Sequence, residues 1–176
     1  MHRPLTPKLH PTPPTRLPPH PTPPNSTQAY QVYKARAAGA DAMLLIAAVL
    51  PNSDLSYLTK AARSVGLQCL IEVHTVAELE RVLALGPDGL ASCMLGINNR
   101  NLADFKVDLA NTVDIMASPA GRRVAELGLV MAGESGIFTP ADVAVVAGAG
   151  CGAILVGESL VKQGDPAAGV RALLEL

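Results

Sequence analysis

Apolar runs of strand length recur along this chain, starting near residues 42, 68, 94, 129 and 154, and a helical pattern follows each one. Intervals of about 25–35 residues each hold one βα unit, which makes the sheet parallel. The predicted strands are Ala42 to Ala48, Gln68 to Val73, Met94 to Ile97, Leu129 to Ala132 and Ile154 to Val156. Between them, residues 28–38 read as a helix closed by Gly39, and Asn52 or Ser53 caps a second that stops at Gly66. Thr75 caps a third, residues 108–117 form a fourth, and Pro140 and Pro166 stand at the first helical positions of two more. An open doubly wound sheet is the rival architecture. Polar residues end strand after strand and no GxGxxG turn is present, which favours a barrel with its site at the strand ends. A complete eight-stranded barrel usually takes about 200–250 residues. Five units in 176 residues therefore predict a partial (β/α)8 barrel.

A different texture precedes these units. Ten of the 15 prolines fall within residues 1–24, and no acidic residue occurs before Asp41. Such a segment buries little apolar surface, so residues 1–27 are expected to be a disordered, polyproline-like arm and residues 28–176 the barrel domain. The arm reads either as an organelle transit peptide, given Arg3, Lys8 and Arg16 without acids, or as a linker or misplaced chain start. The net charge of -1 and the 3% aromatic content argue against nucleic acid as a partner. No apolar run approaches the ~18 residues of a membrane span. Cys69, Cys93 and Cys151 sit in or beside strand-like runs without CxxC spacing, so they read as buried, reduced thiols and not as metal ligands or disulfides.

The residues able to do chemistry stand where the strands end: Glu72-Val73-His74, Asn98 to Asn101, Glu134-Ser135-Gly136 and Gly157-Glu158-Ser159. In a parallel barrel they converge on one cavity. Glu72, between Leu70-Ile71 and Val73, is partly desolvated and suited to general acid or base work; a salt bridge to a neighbouring strand is the alternative. Arg100 offers a planar fork for a carboxylate or phosphate and Asn98 a neutral donor and acceptor, although an Asn-rich run also fits a turn bonded to its own backbone. His74 suits either catalysis or a structural hydrogen bond at the start of a loop. The two small-residue turns, Ser135-Gly136 and Gly157-Glu158, each open a helical segment and can aim backbone N–H groups at one phosphate, with Glu134 beside it.

These motifs resemble those of the indole-3-glycerol-phosphate synthase family. The likeness runs from about Gln28 to Leu176 and rests on the strand Asp41 to Leu50, on Ile71 to His74, on Gly96 to Leu102, on Glu134 to Ile137 and on Leu155 to Leu160. Val161 to Pro166 resembles the plant-type members. The resemblance implies a (β/α)8 barrel of which this chain holds strands 4–8, with no metal or organic cofactor. It implies a carbon–carbon lyase of tryptophan biosynthesis that closes the indole ring of 1-(2-carboxyphenylamino)-1-deoxyribulose 5-phosphate, releasing carbon dioxide and water. By motif, Glu72 is the proton-transferring carboxylate late in the reaction, and Asn98 and Arg100 meet the substrate's polar groups. Leu102 lies against its aromatic part and Glu134 bonds its hydroxyls. Ser135, Gly136, Gly157 and Glu158 hold the phosphate. The implied location is the plastid for a plant or algal source and the cytoplasm otherwise.

The family also carries a Glu-x-Lys motif on its first strand and a Lys-Asp-Phe motif on its third, and neither occurs here. Lys34 and Lys8 stand in the wrong places to substitute. Ring closure by this chain alone is therefore expected to be slow, because the general acid it lacks contributes about 10²–10⁴ in rate. Five strands also leave two sheet edges and an apolar interior open, so self-association or a missing N-terminal barrel half is the expected partner. The competing reading is a non-catalytic fragment that binds phosphorylated ligands. Other chemistry on a related barrel fits the INNRNL and ESGIF runs poorly.

Overall fold

A computed structural model describes residues 26–101 and 105–175 of the chain, with side chains from residue 29 onward. The body of the expected arm and Leu102 lie outside these residues. In chain order the elements are α1 (Ser26–Ala37), β1 (Ala42–Ile46), α2 (Asn52–Ser64), β2 (Gln68–Val73), α3 (Val76–Leu83), α4 (Gly86–Leu90) and β3 (Cys93–Asn98). There follow α5 (Ala110–Ala117), α6 (Pro119–Glu126), β4 (Met131–Glu134), α7 (Pro140–Gly148), β5 (Ala153–Leu155), α8 (Glu158–Val161) and α9 (Pro166–Leu174). The strands form one parallel sheet in the order β1-β2-β3-β4-β5. Each strand pairs with its successor and the order never reverses, which is barrel winding and not the doubly wound pattern. The fold is a partial (β/α)8 barrel.

Local chemistry explains most element boundaries. Thr75 accepts the Glu78 N–H at 3.2 Å. Thr139 and Asp142 form a capping box ahead of Pro140, and Asp165 accepts two N–H groups at the start of α9. Four expectations need correction. Helix α1 starts at Ser26, inside the expected arm. Neither Asn52 nor Ser53 caps α2: extended Pro51 precedes it, and Asn52 is helical with Oδ1 taken by Arg81 Nε at 2.9 Å. Strand β1 stops at Ile46, whose carbonyl accepts the Val49 and Leu50 N–H groups and so turns the chain. The fourth strand begins later than Leu129, whose N–H is spent on Val124 in closing α6. Helix α6 itself was unread, although Ser118-Pro119 carries the cap-then-proline signature and Ser118 Oγ accepts the Gly121 N–H at 3.1 Å.

Alternation sorts the strands into two faces. Leu45, Cys69, Ile71, Val73, Leu95, Ile97 and Met131 face the helices and are buried with Leu55, Leu58, Leu79, Val82, Ile115 and Val124. Leu44, Leu70 and Met94 line up in register on the opposite, concave face. That face is open at its margins, where Leu44 is 48% exposed and Leu155 54%. Among the described residues no helix is long and apolar enough to cross a membrane.

Candidate active site

Sheet register brings the strand-end residues together. Glu72 pairs with Gly96, Gly96 with Ala132, Asn98 with Glu134, and Glu134 with Leu155. Period-two alternation then puts Glu72, Asn98 and Glu134 on the same concave face. Both carboxylates are deeply buried, at 5% and 3% exposure. Gly96 makes this possible, because a Cβ there would collide with Glu134 Oε1 and would stand 3.2 Å from Leu70 Cδ1. Burial, reinforced by the neighbouring Glu72 carboxylate, pushes the Glu134 pKa up to about 7. Among the described residues Glu134 Oε1 has no hydrogen-bond partner. Glu72 Oε1 lies 3.5 Å from His74 Nε2. The His74 backbone N–H donates to Glu78 Oε2 at 2.7 Å.

The segment after β3 combines the two readings its sequence allowed. Asn98 Oδ1 accepts the Arg100 N–H at 2.9 Å, an Asx turn that aims the arginine back over the sheet. Arg100 Nη2 then meets Glu158 Oε2 at 2.7 Å, and Lys162 Nζ holds the other oxygen, Glu158 Oε1, at 2.8 Å. Lys162 first and Arg100 second hold the Glu158 carboxyl below its ordinary range. An antiparallel bridge pairs Arg100 with Val107.

Three positioning residues escaped sequence reasoning. Asn99 is 3% exposed. Its Nδ2 donates to the carbonyls of Glu134 (3.1 Å) and Ser135 (3.3 Å), while Oδ1 accepts from Thr112 N and Thr112 Oγ1 (2.7 Å). Asn111 Nδ2 reaches the carbonyls of His74 and Asn98. The only signal was a second Asn in an Asn-rich run; its partners are 13 and 35 residues away, beyond any local pattern.

The turn after β4 carries two consecutive left-handed residues, Ser135 (φ 63°) and Gly136 (φ 75°). Serine rarely adopts that conformation, and Asn99 holds its carbonyl in place. A Cβ on Gly136 would run into Val107 Cγ1. Gly157 precedes α8 and has open space on its Cβ side. Ser159 Oγ donates to the Ile137 carbonyl at 3.2 Å, tying the two turns together. Between them lies a cleft of about 340 Å³ that Arg100, Glu134, Ser135, Gly136, Gly157 and Glu158 all line. Asn98 lines a second cleft of about 550 Å³ with His74, Glu78, Asn99, Asn101 and Lys106. Glu72 is buried in the sheet face beside Gly96. Among the described residues no group of three or more His, Cys, Asp or Glu side chains is placed to hold a metal ion.

Known proteins resemble this chain in sequence and in fold. The sequence model described as indole-3-glycerol phosphate synthase matches residues 27–173. The indole-3-glycerol phosphate synthase of Microcystis aeruginosa is 49% identical over 146 residues, 83% of this chain and 48% of that protein. The chloroplastic enzyme of Arabidopsis thaliana is 46% identical over 144 residues, 82% of this chain and 35% of its own length. The chain thus spans half or less of the curated relatives it matches. Among solved structures, a tryptophan synthase a2b2 complex from Pyrococcus furiosus aligns with a TM-score of 0.59 at 18% identity, covering 85% of this chain and 60% of that one. A DHODH from Eimeria tenella in complex with ferulenol aligns with 0.62 at 12% identity, covering 84% and 52%. At such identities the likeness is one of fold alone. The family match over most of the chain and the relatives at nearly one residue in two agree: this chain belongs to the indole-3-glycerol phosphate synthase family.

Proposed function

We propose that residues 28–176 form the ligand-holding part of an indole-3-glycerol phosphate synthase site, a carboxy-lyase acting in tryptophan biosynthesis. The substrate is 1-(2-carboxyphenylamino)-1-deoxyribulose 5-phosphate, and ring closure releases carbon dioxide and water. The observation that carries the reading is the single cleft joining a guanidinium, a buried carboxyl titrating near neutrality and two small-residue turns. Ser135, Gly136 and Gly157 present backbone to the phosphate, and Glu158 stands at its edge. Arg100 supplies the positive charge. Glu134, about half protonated near pH 7, can donate to one substrate hydroxyl and accept from another. Glu72, buried on the same face, is the proton-transferring carboxylate, with Asn98 orienting the arginine backbone and the substrate's polar groups. Leu102 packs against the aromatic ring.

Completion by an N-terminal barrel half belongs to the same proposal. The Glu-x-Lys and Lys-Asp-Phe strands are not among these 176 residues, and β1 and β5, the outer strands among the described residues, are the edges at which such strands would pair. Taken by itself the chain therefore binds phosphorylated ligand but closes the ring slowly. That absence of the lysines is what favours the alternative of a ligand-binding fragment. The chloroplastic and cyanobacterial relatives support a plastid location for a plant or algal source. The test is turnover of the substrate by the chain alone and by the chain joined to the N-terminal half of the Microcystis relative. Product from the joined protein, lost on Glu134→Gln, is expected. A well-folded joined protein with no turnover would overturn the enzyme reading, and failure to bind inorganic phosphate would overturn both.

A further inference from the structure

The far ends of β2 and β3, remote from the cleft, carry a pair of thiols that the proposed activity does not use. Cys69 and Cys93 are register partners in the parallel ladder. Neighbouring strands lie about 4.7–4.9 Å apart, inside the 4.4–6.8 Å over which a disulfide spans two Cα atoms. Partners in register point to the same face, here the helix-packed one. The two sulfurs differ in surroundings. Cys69 is 2% exposed in the core. Cys93 is half-buried and lines a surface hollow of about 350 Å³ with Pro87, Leu90, Leu127 and Val130. As a thiol, Cys93 Sγ reaches the Gly89 carbonyl at 3.5 Å. The Arg63 guanidinium is held nearby through its 2.8 Å bond to the Asp88 carbonyl.

We propose that Cys93 and Cys69 form a peroxide-reactive dithiol, in which Cys93 is the nucleophile, Cys69 the resolving thiol, and the hollow over Cys93 the entry for a small hydroperoxide. Placement sets the roles, since Cys93 opens onto the hollow and Cys69 is enclosed in the core, and the electrostatics run the same way. The Cys93 pKa is lowered, first by its hydrogen bond with Cys69, then by the Ser92 backbone and the positive charge of Arg63, against the opposing effect of burial. Cys69 is raised, first by the same hydrogen bond and then by burial. Cys151 is raised to about 11 by burial and has no such partner. A reachable thiol whose ionisation is favoured, beside a second thiol able to resolve it, is the arrangement that oxidises selectively.

The chemistry balances without any group beyond the hydroperoxide. The Cys93 thiolate attacks one peroxide oxygen, the O–O bond breaks, and an alkoxide or hydroxide leaves. Cys93 is then a sulfenic acid. The Cys69 thiol attacks that sulfur, the S–S bond forms as the S–O bond breaks, and the departing hydroxide takes the Cys69 proton as water. The two thiols lose two electrons and the hydroperoxide gains them. The product staples β2 to β3 at the end of the sheet opposite Glu72 and Asn98.

The experiment treats the full chain with dilute hydrogen peroxide, blocks remaining thiols and maps peptides by mass spectrometry. The expected result is an intramolecular Cys69–Cys93 link, reversed by dithiothreitol, with Cys151 still a free thiol. In Cys69→Ser, a 1,3-dione that traps sulfenic acid should label Cys93 at least about tenfold faster than Cys151. Absence of the 69–93 link in the unsubstituted chain overturns the proposal, as does a mixture of links that includes Cys151. The first readout needs no substitution, so a poorly folding variant leaves the test intact.

Discussion

Glu134 occupies the space that Gly96 leaves by having no side chain, and the two lie on adjacent strands. The site's most perturbed carboxyl is thus seated by a missing methyl group. In Gly96→Ala the Glu134 carboxyl must leave its seat or the strands must part. Turnover by the completed barrel should fall by at least about 10²-fold, because a misplacement of an ångström costs that much. Overpacking should destabilise the chain by about 1–3 kcal/mol. Steady-state rates and urea denaturation read the two effects.

The same carboxyl makes stability depend on pH. Its folded pKa of about 7 lies above the ordinary value of 4.5, so between these limits the folded chain binds the extra proton. Stability attached to that proton is present below about pH 4.5 and declines as pH rises through about 7, by an amount on the order of 3 kcal/mol. Urea midpoints should fall between pH 5 and pH 8. Glu134→Gln, which cannot ionise, should flatten that slope and be the more stable protein at pH 8.

Asn99 satisfies four hydrogen bonds from a buried position. Replacing it with Ala leaves the fully buried Thr112 hydroxyl without its acceptor, while the Glu134 carbonyl keeps the backbone N–H of residue 99 and the Thr112 N–H keeps the Leu109 carbonyl. A loss of about 2 kcal/mol is expected, within the cost of one unpaired buried group. Thermal and urea unfolding measure it, and a loss below about 1 kcal/mol would contradict this account.

Arg100 and Glu158 face each other across the mouth of the cleft. A bound phosphate competes with Glu158 for the guanidinium and is repelled by the carboxylate. Glu158→Gln should therefore tighten inorganic phosphate binding several-fold at low ionic strength, and Arg100→Ala should weaken it by about tenfold. Calorimetric titration at two salt concentrations tests both. The gain in Glu158→Gln should shrink as salt rises.

Much of this molecule was legible in its residues because the signals were local. Thr75, Thr139 with Pro140, and Asp165 with Pro166 each cap a helix within three positions of themselves. Ser118-Pro119 carried the same signal and went unread. The gathering of Arg100, Glu134, Gly136 and Gly157 at one cleft followed from their places at the ends of parallel strands. What stayed hidden depends on register. Sequence reasoning fixed on Glu72 as the desolvated acid, and nothing near Glu134 announces that a glycine 38 positions earlier makes room for it. Asn52 misled for the converse reason: a good capping residue was claimed by a distant arginine.

The outer ladders of β1 and β5, unpaired among the described residues, do more than invite a companion. A newcomer lying parallel beside β1 would deliver its own C-terminal tip to the end of the sheet where Glu72 and Glu134 wait. An antiparallel visitor would carry the same tip to the end of the sheet that bears the cysteines. Strand direction at that seam therefore decides whether a lysine borne by the newcomer reaches the chemistry at all.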